Sequence, residues 1–92
     1  MRLRWTVPAA DDLEGIKDYL RRHLPHLAQP TVQMIYRRVR SLKTTPHKGR
    51  HGHRSGTREL SLSPLPYIVV YRVNNDAVEI LHIRHGAEDW QD

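Results

Sequence analysis

The stretch of residues 56–85, GTRELSLSPLPYIVVYRVNNDAVEILHIRH, decides the fold of this chain. It contains three runs rich in Val, Ile, Tyr and Leu, residues that suit a pleated and half-buried surface. Residues 63–66 and 74–76 separate the runs, and the Pro, Asn and Asp they contain favour turns. The pattern predicts three strands joined by short turns, an antiparallel meander.

Alternation along a strand assigns these side chains to two faces of the sheet. In the middle run one face is predicted to carry every second residue: Tyr67, Val69, Tyr71 and Val73. The opposite face carries the residues between them: Ile68, Val70 and Arg72. The last run is apolar on both faces, with Val78 and Ile80 predicted on one and Leu81 and Ile83 on the other. Helices can cover one face, so the second is either loosely covered or a docking site for another chain.

A strand and a helix precede the meander. Residues 2–7 alternate in the manner of a half-buried strand, with Trp5 as an inward-facing anchor. Pro8 suits the first position of a helix that runs to about Arg22. Asp11 and Asp12 are expected in its first turn, where the helix dipole favours negative charge.

A second amphipathic helix follows, with two possible starts. Either Pro25 or Pro30 is its first residue, because each would be unfavourable deeper inside a helix. The two helices form a hairpin whose shared apolar face needs a sheet to cover. The sequence therefore predicts a single α+β domain over residues 1–92, in the order strand, helix, helix and meander.

The overall charge is basic. Fifteen Lys and Arg residues against ten Asp and Glu give a formal net charge of +5. Most of the cations are Arg, whose planar fork binds carboxylates and phosphates, so an acidic protein or a nucleic acid is the expected partner. The alternative is that the charge serves solubility alone.

Several classes of protein are disfavoured by composition. The chain has no cysteine, which excludes disulfides, thiol catalysis and zinc sites built on cysteine. Its N-terminus lacks the apolar core of a signal peptide, and no run approaches the length of a membrane span. We expect a cytoplasmic protein that has no membrane partner.

Residues 47–56, HKGRHGHRSG, form the most basic segment. It contains no aliphatic residue, and it carries Lys48, Arg50 and Arg54 between glycines. We expect a mobile loop that is either a solvated connector or a surface that grips phosphate or carboxylate groups. Arg58, Arg84 and His85, on the neighbouring strands, complete the predicted target-binding set.

A histidine metal site is the first alternative function. His82 and His85 are predicted to point to opposite faces of a strand, so they cannot bind one ion together without a bend. The other candidates are His47, His51 and His53, in a segment without a neighbouring carboxylate. Neither a metal nor a cofactor is expected.

A metal-independent nuclease site is the second alternative. Cleavage of RNA through its 2′-hydroxyl needs an acid, a base and cations on the phosphate. His85 or Glu59 are the candidates for proton transfer. The candidates for charge stabilisation are Arg58, Arg72 and Arg84. The alternative interpretation makes Glu59 and Arg72 a surface ion pair across two strands.

The whole chain resembles the RelE/ParE toxins of bacterial type II toxin–antitoxin modules. The resemblance implies the β-α-α-β-β-β fold and a small toxin that a cognate antitoxin neutralises, typically by wrapping it as helix and strand. The expected antitoxin surface is the second face of the meander: Ile68, Val70, Arg72, Leu81 and Ile83. The pieces that carry the resemblance are Trp5 with ADDL at 10–13, Pro46, Gly49-Arg50, GTREL at 56–60, YIVVYRV at 67–73, VEILHIRHG at 78–86 and Trp90.

Two activities occur in this family. One branch cleaves mRNA on the ribosome, and the ParE-like branch inhibits DNA gyrase. The RNA-cleaving branch commonly has an Arg where this chain has Ile68, and a Tyr or a cationic cluster where this chain has the acidic tail 86–90. Carboxylates beside a scissile phosphate would repel it. His85 matches a position where some RNA-cleaving members carry a His, which keeps that activity as the alternative.

The ParE-like assignment is therefore expected, with no catalytic residue. A basic nucleic-acid-binding module is the alternative from a different class. Trp90 is predicted to pack back on the sheet edge as a second anchor.

Overall fold

The computed structural model describes residues 1–86 and has the predicted α+β architecture. The elements are β1 (Arg2–Trp5), α1 (Val7–His23), α2 (Pro25–Arg40), a 3₁₀ turn (Ser41–Lys43), β2 (Arg50–His51), β3 (Arg58–Ser61), β4 (Tyr67–Asn74) and β5 (Ala77–His85). The predicted order is confirmed, and β2 is an additional short strand. Trp90 and the carboxylates of the tail lie outside the described residues.

The five strands form one mixed sheet in the order β1-β5-β4-β3-β2. β1 runs parallel to β5, whereas β3, β4 and β5 form the predicted antiparallel meander. The helical hairpin lies between β1 and the rest of the sheet in sequence and packs on one face of it. No helix within residues 1–86 is long and apolar enough to cross a membrane.

Thr6 fixes where α1 begins. Its hydroxyl accepts a 3.3 Å hydrogen bond from the Ala9 N–H and donates a 2.7 Å bond to the Ile80 carbonyl of β5. This cap places the first helical residue before Pro8, so Asp11 and Asp12 fall outside the first turn and that prediction is wrong. The Asp12 carboxylate instead accepts the Ile83 N–H at 3.0 Å and ties α1 to β5.

Of the two possible starts of α2, the structure has Pro25. Pro30 lies inside the helix, in its second turn. A proline there removes one backbone donor near the helix start, and packing of the apolar stripe outweighs that loss. The stripe is Ala28, Val32, Ile35 and Val39.

The core lies between the hairpin and the sheet. Its fully buried side chains include Ile35, Leu42, Leu62 and Tyr71. Trp5 is half-buried against this core, and its ring centroid lies 5.6 Å from that of Tyr36 on α2. The packing therefore fixes which face of the sheet the helices cover.

A β-bulge in β5 changes one predicted face. Val70 pairs with His82, but the next residue, Tyr71, pairs with Ile80, so Leu81 is the extra residue. Alternation reverses beyond the bulge, and Ile83 returns to the core side, where it is 5% exposed. The prediction that Ile83 shares the second face with Leu81 is therefore wrong.

Candidate functional site: the open sheet face and the basic hairpin

The helices leave one face of the sheet uncovered, which we call the open face. Side chains that pair across neighbouring strands share a face, so the register defines it. Its members are Arg4, Glu59, Ile68, Val70, Arg72, Glu79, His82 and Arg84. Two apolar side chains, Ile68 and Val70, are thus surrounded by cations and by two buried carboxylates.

Glu79 holds three strands together on this face. Its carboxylate accepts a 2.7 Å bond from Arg72 Nε, a 3.3 Å bond from Asn74 and a further bond from Arg4 on β1. The hydrogen bond from Arg72 is the main reason that the Glu79 pKa lies below its usual value. Arg4 and Arg72 keep half or more of their side chains exposed, so the cluster presents positive charge outward.

Glu59 forms a second cluster near the other edge, where it joins β3 to β2 and to His53. It is 3% exposed, and its carboxylate accepts bonds from Arg50 at 3.0 Å and from the backbone N–H of His53 at 3.2 Å. The His53 Nδ1 lies 2.8 Å from the same oxygen. Burial raises the pKa of Glu59, but the hydrogen bonds from His53 and Arg50 outweigh it, so the net shift is downward. The predicted pair with Arg72 is wrong, since Arg72 binds Glu79.

Residues 47–58, predicted as a loop, form a short hairpin that contains β2, and we call it the basic hairpin. Its arms are β2 and the start of β3, and beyond them the Gly52 N–H donates to the Thr57 carbonyl at 2.8 Å. Gly56 has a φ of +80°, the left-handed region that glycine adopts without strain. The sequence signal for the hairpin was this glycine between two polar arms. The arms lack the aliphatic residues expected of strands, so the pattern predicted a loop.

Hydrogen bonds from two side chains, Tyr71 and Arg58, hold the base of the hairpin. The Tyr71 hydroxyl donates to the Pro46 carbonyl at 2.8 Å and accepts from the Gly49 N–H at 2.9 Å. Arg58 donates to the carbonyls of Gly49 at 2.8 Å and His47 at 3.2 Å. The guanidinium of Arg58 therefore positions the hairpin backbone. The sequence analysis predicted Arg58 only as a cation that binds the target.

The exposed cations of the hairpin lie beside the open face. Lys48 and Arg54 are exposed, and Arg50 keeps 69% of its side chain exposed despite its bond to Glu59. A cavity of about 390 Å³ joins the hairpin to Ile68. Arg84 is paired with Ile68 across the strands, so it completes this basic surface.

The candidate nuclease residues are not gathered at one point. His85 pairs with Tyr67, and Arg58 pairs with Tyr71, four residues further along β4, which is about 13 Å. Glu59 faces the open side, and the bonds to Arg50 and His53 occupy both its oxygens.

The histidines are likewise dispersed. His82 and His85 lie on opposite faces, as predicted, and the His85 ring meets Tyr67 edge-on at 5.9 Å. In the part of the chain that the structure describes, no three His, Asp or Glu side chains gather as metal ligands.

Sequence reasoning missed the roles of Arg4, Tyr71 and Glu79. A signal for Glu79 was present, because it interrupts an otherwise apolar run and a buried carboxylate needs cationic partners. Alternation placed Arg4 and Arg72 on the outward sides of their strands, and the register of β1 against β5 brings both to Glu79.

Comparison with known proteins gives a consistent result. Residues 3–90 match the family described as the ParE toxin of the type II toxin–antitoxin system parDE. A candidate toxin of Sinorhizobium fredii, Y4kP, is 39% identical over 97% of this chain and 92% of its own length. Toxin RelE2 of Caulobacter vibrioides is 36% identical over 90% of this chain and 92% of its own length.

Solved structures agree with the sequence relatives. A chain of the chromosomal ParDE toxin–antitoxin system from P. aeruginosa superposes with a TM-score of 0.85 and 33% identity, over 92% of this chain and 95% of that one. A YoeB/ParE toxin from Agrobacterium tumefaciens, 22% identical with a TM-score of 0.61 over 92% of this chain and 98% of that one, shares the fold.

Proposed function

This chain belongs to the ParE toxin family of type II toxin–antitoxin systems, and on that premise we propose that it inhibits bacterial growth by acting on DNA gyrase in the cytoplasm. A cognate antitoxin neutralises it. The ParE-like branch is the one to which gyrase inhibition is attributed, and the family match supports that branch over the RNA-cleaving one.

The observation that carries the choice against RNA cleavage is the state of Glu59 and Arg58. The Glu59 carboxylate is occupied by Arg50 and His53, and its lowered pKa makes it a weak base. The Arg58 guanidinium is bound to backbone carbonyls. Ile68 cannot stabilise charge on a phosphate, and loss of one such preorganised group costs about 10²–10³ in rate.

The target surface in this proposal is the basic hairpin with the adjacent edge of the open face. Lys48, Arg50 and Arg54 present exposed charge on a backbone that Tyr71 and Arg58 hold in place. A preorganised arm binds without the entropy cost of ordering a loop. Arg84 adds charge beside the cavity, whereas His85 lies on the other face.

The antitoxin surface in this proposal is the open face. Ile68 and Leu81 are half-buried and supply apolar area next to Val70, which is itself buried, and Arg72 and Arg84 supply charge. An acidic segment with apolar side chains would complement both. Ile83, predicted for this surface, belongs to the core and is left out of it.

One preparation tested in two assays separates the activities. Purified protein is added to a gyrase supercoiling reaction and to ribosomes translating a defined message. We expect loss of supercoiling, trapped double-strand DNA breaks and intact message. Cuts at codon positions that disappear in His85→Ala would overturn the proposal and establish the nuclease alternative. Binding to nucleic acid with neither effect would identify a basic nucleic-acid-binding module.

The antitoxin surface is tested by coexpression with the product of the neighbouring reading frame. We expect a stable complex that Ile68→Asp disrupts, because a carboxylate would face apolar antitoxin side chains and the basic surface would lose its apolar centre. Arg37→Asp, on the exposed side of α2, is the matched control. Equal complex formation by both variants would exclude the open face as the antitoxin site.

A further inference from the structure

Residues 19–58 contain no carboxylate side chain. Ten of the fifteen Lys and Arg residues of the chain lie in this segment, whereas none of its ten Asp and Glu residues does. The segment includes the end of α1, α2, the 3₁₀ turn and the basic hairpin. Within residues 1–86 the exposed carboxylates are instead those of three residues on α1 and one in the turn before β5: Asp11, Glu14, Asp18 and Asp76. The two helices of the hairpin therefore differ in the charge that they present to solvent.

Arg37, Arg40 and Lys43 line the outer side of α2 and of the 3₁₀ turn that follows it, and we call these three cations the helix stripe. All three are exposed. Arg37 and Arg40 are three residues apart, so they share one side of the helix. Side chains three residues apart also line up in a 3₁₀ turn, which places Lys43 next to Arg40. The opposite side of α2 carries the core residues Ile35 and Val39.

The charges of the helix stripe are not used inside the molecule. In the part of the chain that the structure describes, the ion pairs of Arg side chains involve other positions: Arg2, Arg4, Arg21, Arg50 and Arg72. Arg38, the neighbour of Arg37, donates to the carbonyls of Ser61 at 3.0 Å and Ser63 at 3.3 Å, so the sheet holds it in place. The helix stripe thus faces solvent without a carboxylate partner among residues 1–86.

The helix dipole explains only part of this composition. Cations near the end of a helix are favoured by its dipole, which accounts for Arg37 and Arg40. The same dipole favours carboxylates in the first turn, yet the first turn of α2 contains none and has His26 instead. Lys43 lies beyond the last residue of the helix. A surface without carboxylates along this whole length indicates an acidic partner.

The side chains of the helix stripe fit a nucleic acid better than a protein. The exposed residues from 33 to 43 are Gln33, Tyr36 and the three cations. Tyr36 lies at the border, and its ring packs 5.6 Å from that of Trp5. Protein–protein interfaces are centred on apolar side chains, whereas protein–DNA interfaces are polar and strongly positive. The planar fork of arginine binds phosphate oxygens with two parallel hydrogen bonds.

The length of the helix stripe matches a short run of phosphates. Three residues advance about 4.5 Å along an α-helix and about 6 Å along a 3₁₀ turn, so the stripe is about 10 Å long. A DNA strand carries one phosphate for about every 3.4 Å of the duplex axis. The three cations therefore correspond to about three phosphates of one strand. Exposed Lys48, whose N–H donates to the Thr45 carbonyl, continues the same surface toward the basic hairpin.

We propose that the helix stripe binds the phosphate backbone of duplex DNA without reading its sequence. Phosphate contacts position a protein on the duplex and carry no sequence information, and their affinity falls steeply with salt. Only the setting of this contact rests on the proposed function. Gyrase acts on duplex DNA, so one toxin molecule can contact the enzyme through the basic hairpin and the DNA through the helix stripe.

Fluorescence anisotropy with a labelled duplex of about 20 base pairs, followed from about 50 to 200 mM salt, tests the contact without gyrase. We expect log K to fall linearly with the logarithm of the salt concentration. The combined variant Arg37→Gln, Arg40→Gln and Lys43→Gln should make that slope shallower by about 2–3, since each phosphate contact contributes about 0.9. Because gyrase is absent, this result is independent of whether the protein inhibits supercoiling.

The matched control removes the same net charge from α1. It combines Lys17→Gln, Arg21→Gln and Arg22→Gln, near Glu14 and Asp18 at the other end of the antiparallel helical hairpin. This variant should change the slope by less than about 1. Equal losses in the two triple variants would overturn the proposal, because net charge alone would then explain binding. A parent protein that does not bind the duplex at the lowest salt concentration would also overturn it.

Gln33→Arg tests the same surface by a gain of binding. Gln33 is exposed and lies one turn before Arg37 on the same side of α2. An arginine there should add a phosphate contact, steepen the slope by about 0.9 and tighten binding at low salt. Asp18→Asn raises the net charge by the same amount on α1 and should leave the slope unchanged. Equal effects of the two variants would contradict the proposal.

Coexpression with the antitoxin excludes a protein partner for this surface. The helix-stripe triple variant should form the antitoxin complex as well as the parent does, because the inferred antitoxin surface lies on the open face of the sheet. Loss of that complex, with DNA binding unchanged, would assign the helix stripe to the antitoxin and overturn the proposal.

Discussion

Tyr71 and Gly49 form one structural unit at the base of the basic hairpin. The Tyr71 hydroxyl accepts the Gly49 N–H at 2.9 Å, and a Cβ at position 49 would lie 2.6 Å from that same oxygen. The glycine is thus required by close approach to the tyrosine, and the tyrosine is positioned by the backbone of the glycine. Disturbing either partner should be detectable in the stability of the whole domain.

Gly49→Ala is predicted to destabilise the protein by about 1–3 kcal/mol, because the new methyl group would also lie 2.9 Å from the Glu59 carbonyl oxygen. Gly15→Ala is the matched control. It meets nothing within 4 Å and should stabilise the protein by up to about 1 kcal/mol through helix propensity. Urea unfolding measures the free energy of unfolding of both variants. An unchanged value for Gly49→Ala would contradict the close packing around Gly49.

Tyr71→Phe is predicted to cost about 1–3 kcal/mol, because it leaves a buried N–H of Gly49 and the carbonyl of Pro46 without their partner. Tyr67→Phe is the control, since no hydrogen bond of its hydroxyl is described within residues 1–86, and it should change stability by less than about 0.5 kcal/mol. Equal effects of the two substitutions would show that the Tyr71 hydroxyl is not a structural partner.

The sequence was sufficient for the two helices and the four longer strands, because period-two and helical patterns report directly on buried faces. It was insufficient beyond Leu81. A bulge needs one extra residue on one strand only, and its position depends on pairing with the neighbouring strand, so alternation alone placed Ile83 on the wrong face. The face of Ile68 and Val70 was predictable because no bulge interrupts their strand before Tyr71.

The basic hairpin shows a second limit. Its composition predicts an irregular loop, yet contacts from Tyr71, which is distant in sequence, and from Arg58 and Glu59 on β3 hold it in a hairpin. Local propensity does not report such tertiary contacts. The basic surface itself was predictable from the sequence, whereas the structural role of Arg58 was not.

Glu59→Gln should reveal the pH dependence that the buried carboxylate confers. The folded pKa of Glu59 lies below the usual 4.5, so its contribution to stability is present above that value and is lost as pH falls through the folded pKa. The stability difference between the parent protein and the variant should therefore narrow below pH 4.5. A difference that widens on acidification would contradict the assignment.

Glu79→Gln should change the pH dependence of stability in the same direction, because the hydrogen bond from Arg72 lowers the pKa of Glu79 as well. The parent protein gains this stability above the unfolded pKa and loses it in acid. The double variant should lack both components of the acid dependence. Urea unfolding of the four proteins at neutral pH and at steps below pH 4.5 measures the two contributions separately.

Arg58 and Arg54 should differ in how they affect target inhibition. Arg58 donates to the carbonyls of Gly49 and His47, whereas Arg54 is exposed in the turn. Arg58→Ala is predicted to free the base of the hairpin, to speed amide exchange at Gly49 and to reduce inhibition of gyrase at every salt concentration. Arg54→Ala should leave exchange unchanged, weaken inhibition and make it less dependent on salt, because only a screened charge is removed.

Arg58→Lys separates position from charge at the same site. Lysine keeps the positive charge but lacks the planar fork that reaches two carbonyl groups. The Gly49 amide of this variant should therefore exchange as fast as in Arg58→Ala, and the variant should inhibit gyrase as poorly. Amide exchange followed by NMR and supercoiling assays on the same three variants provide the measurement. Full inhibition by Arg58→Lys with rapid exchange at Gly49 would mean that Arg58 acts by its charge on the target, and that the fixed shape of the hairpin is not needed for inhibition.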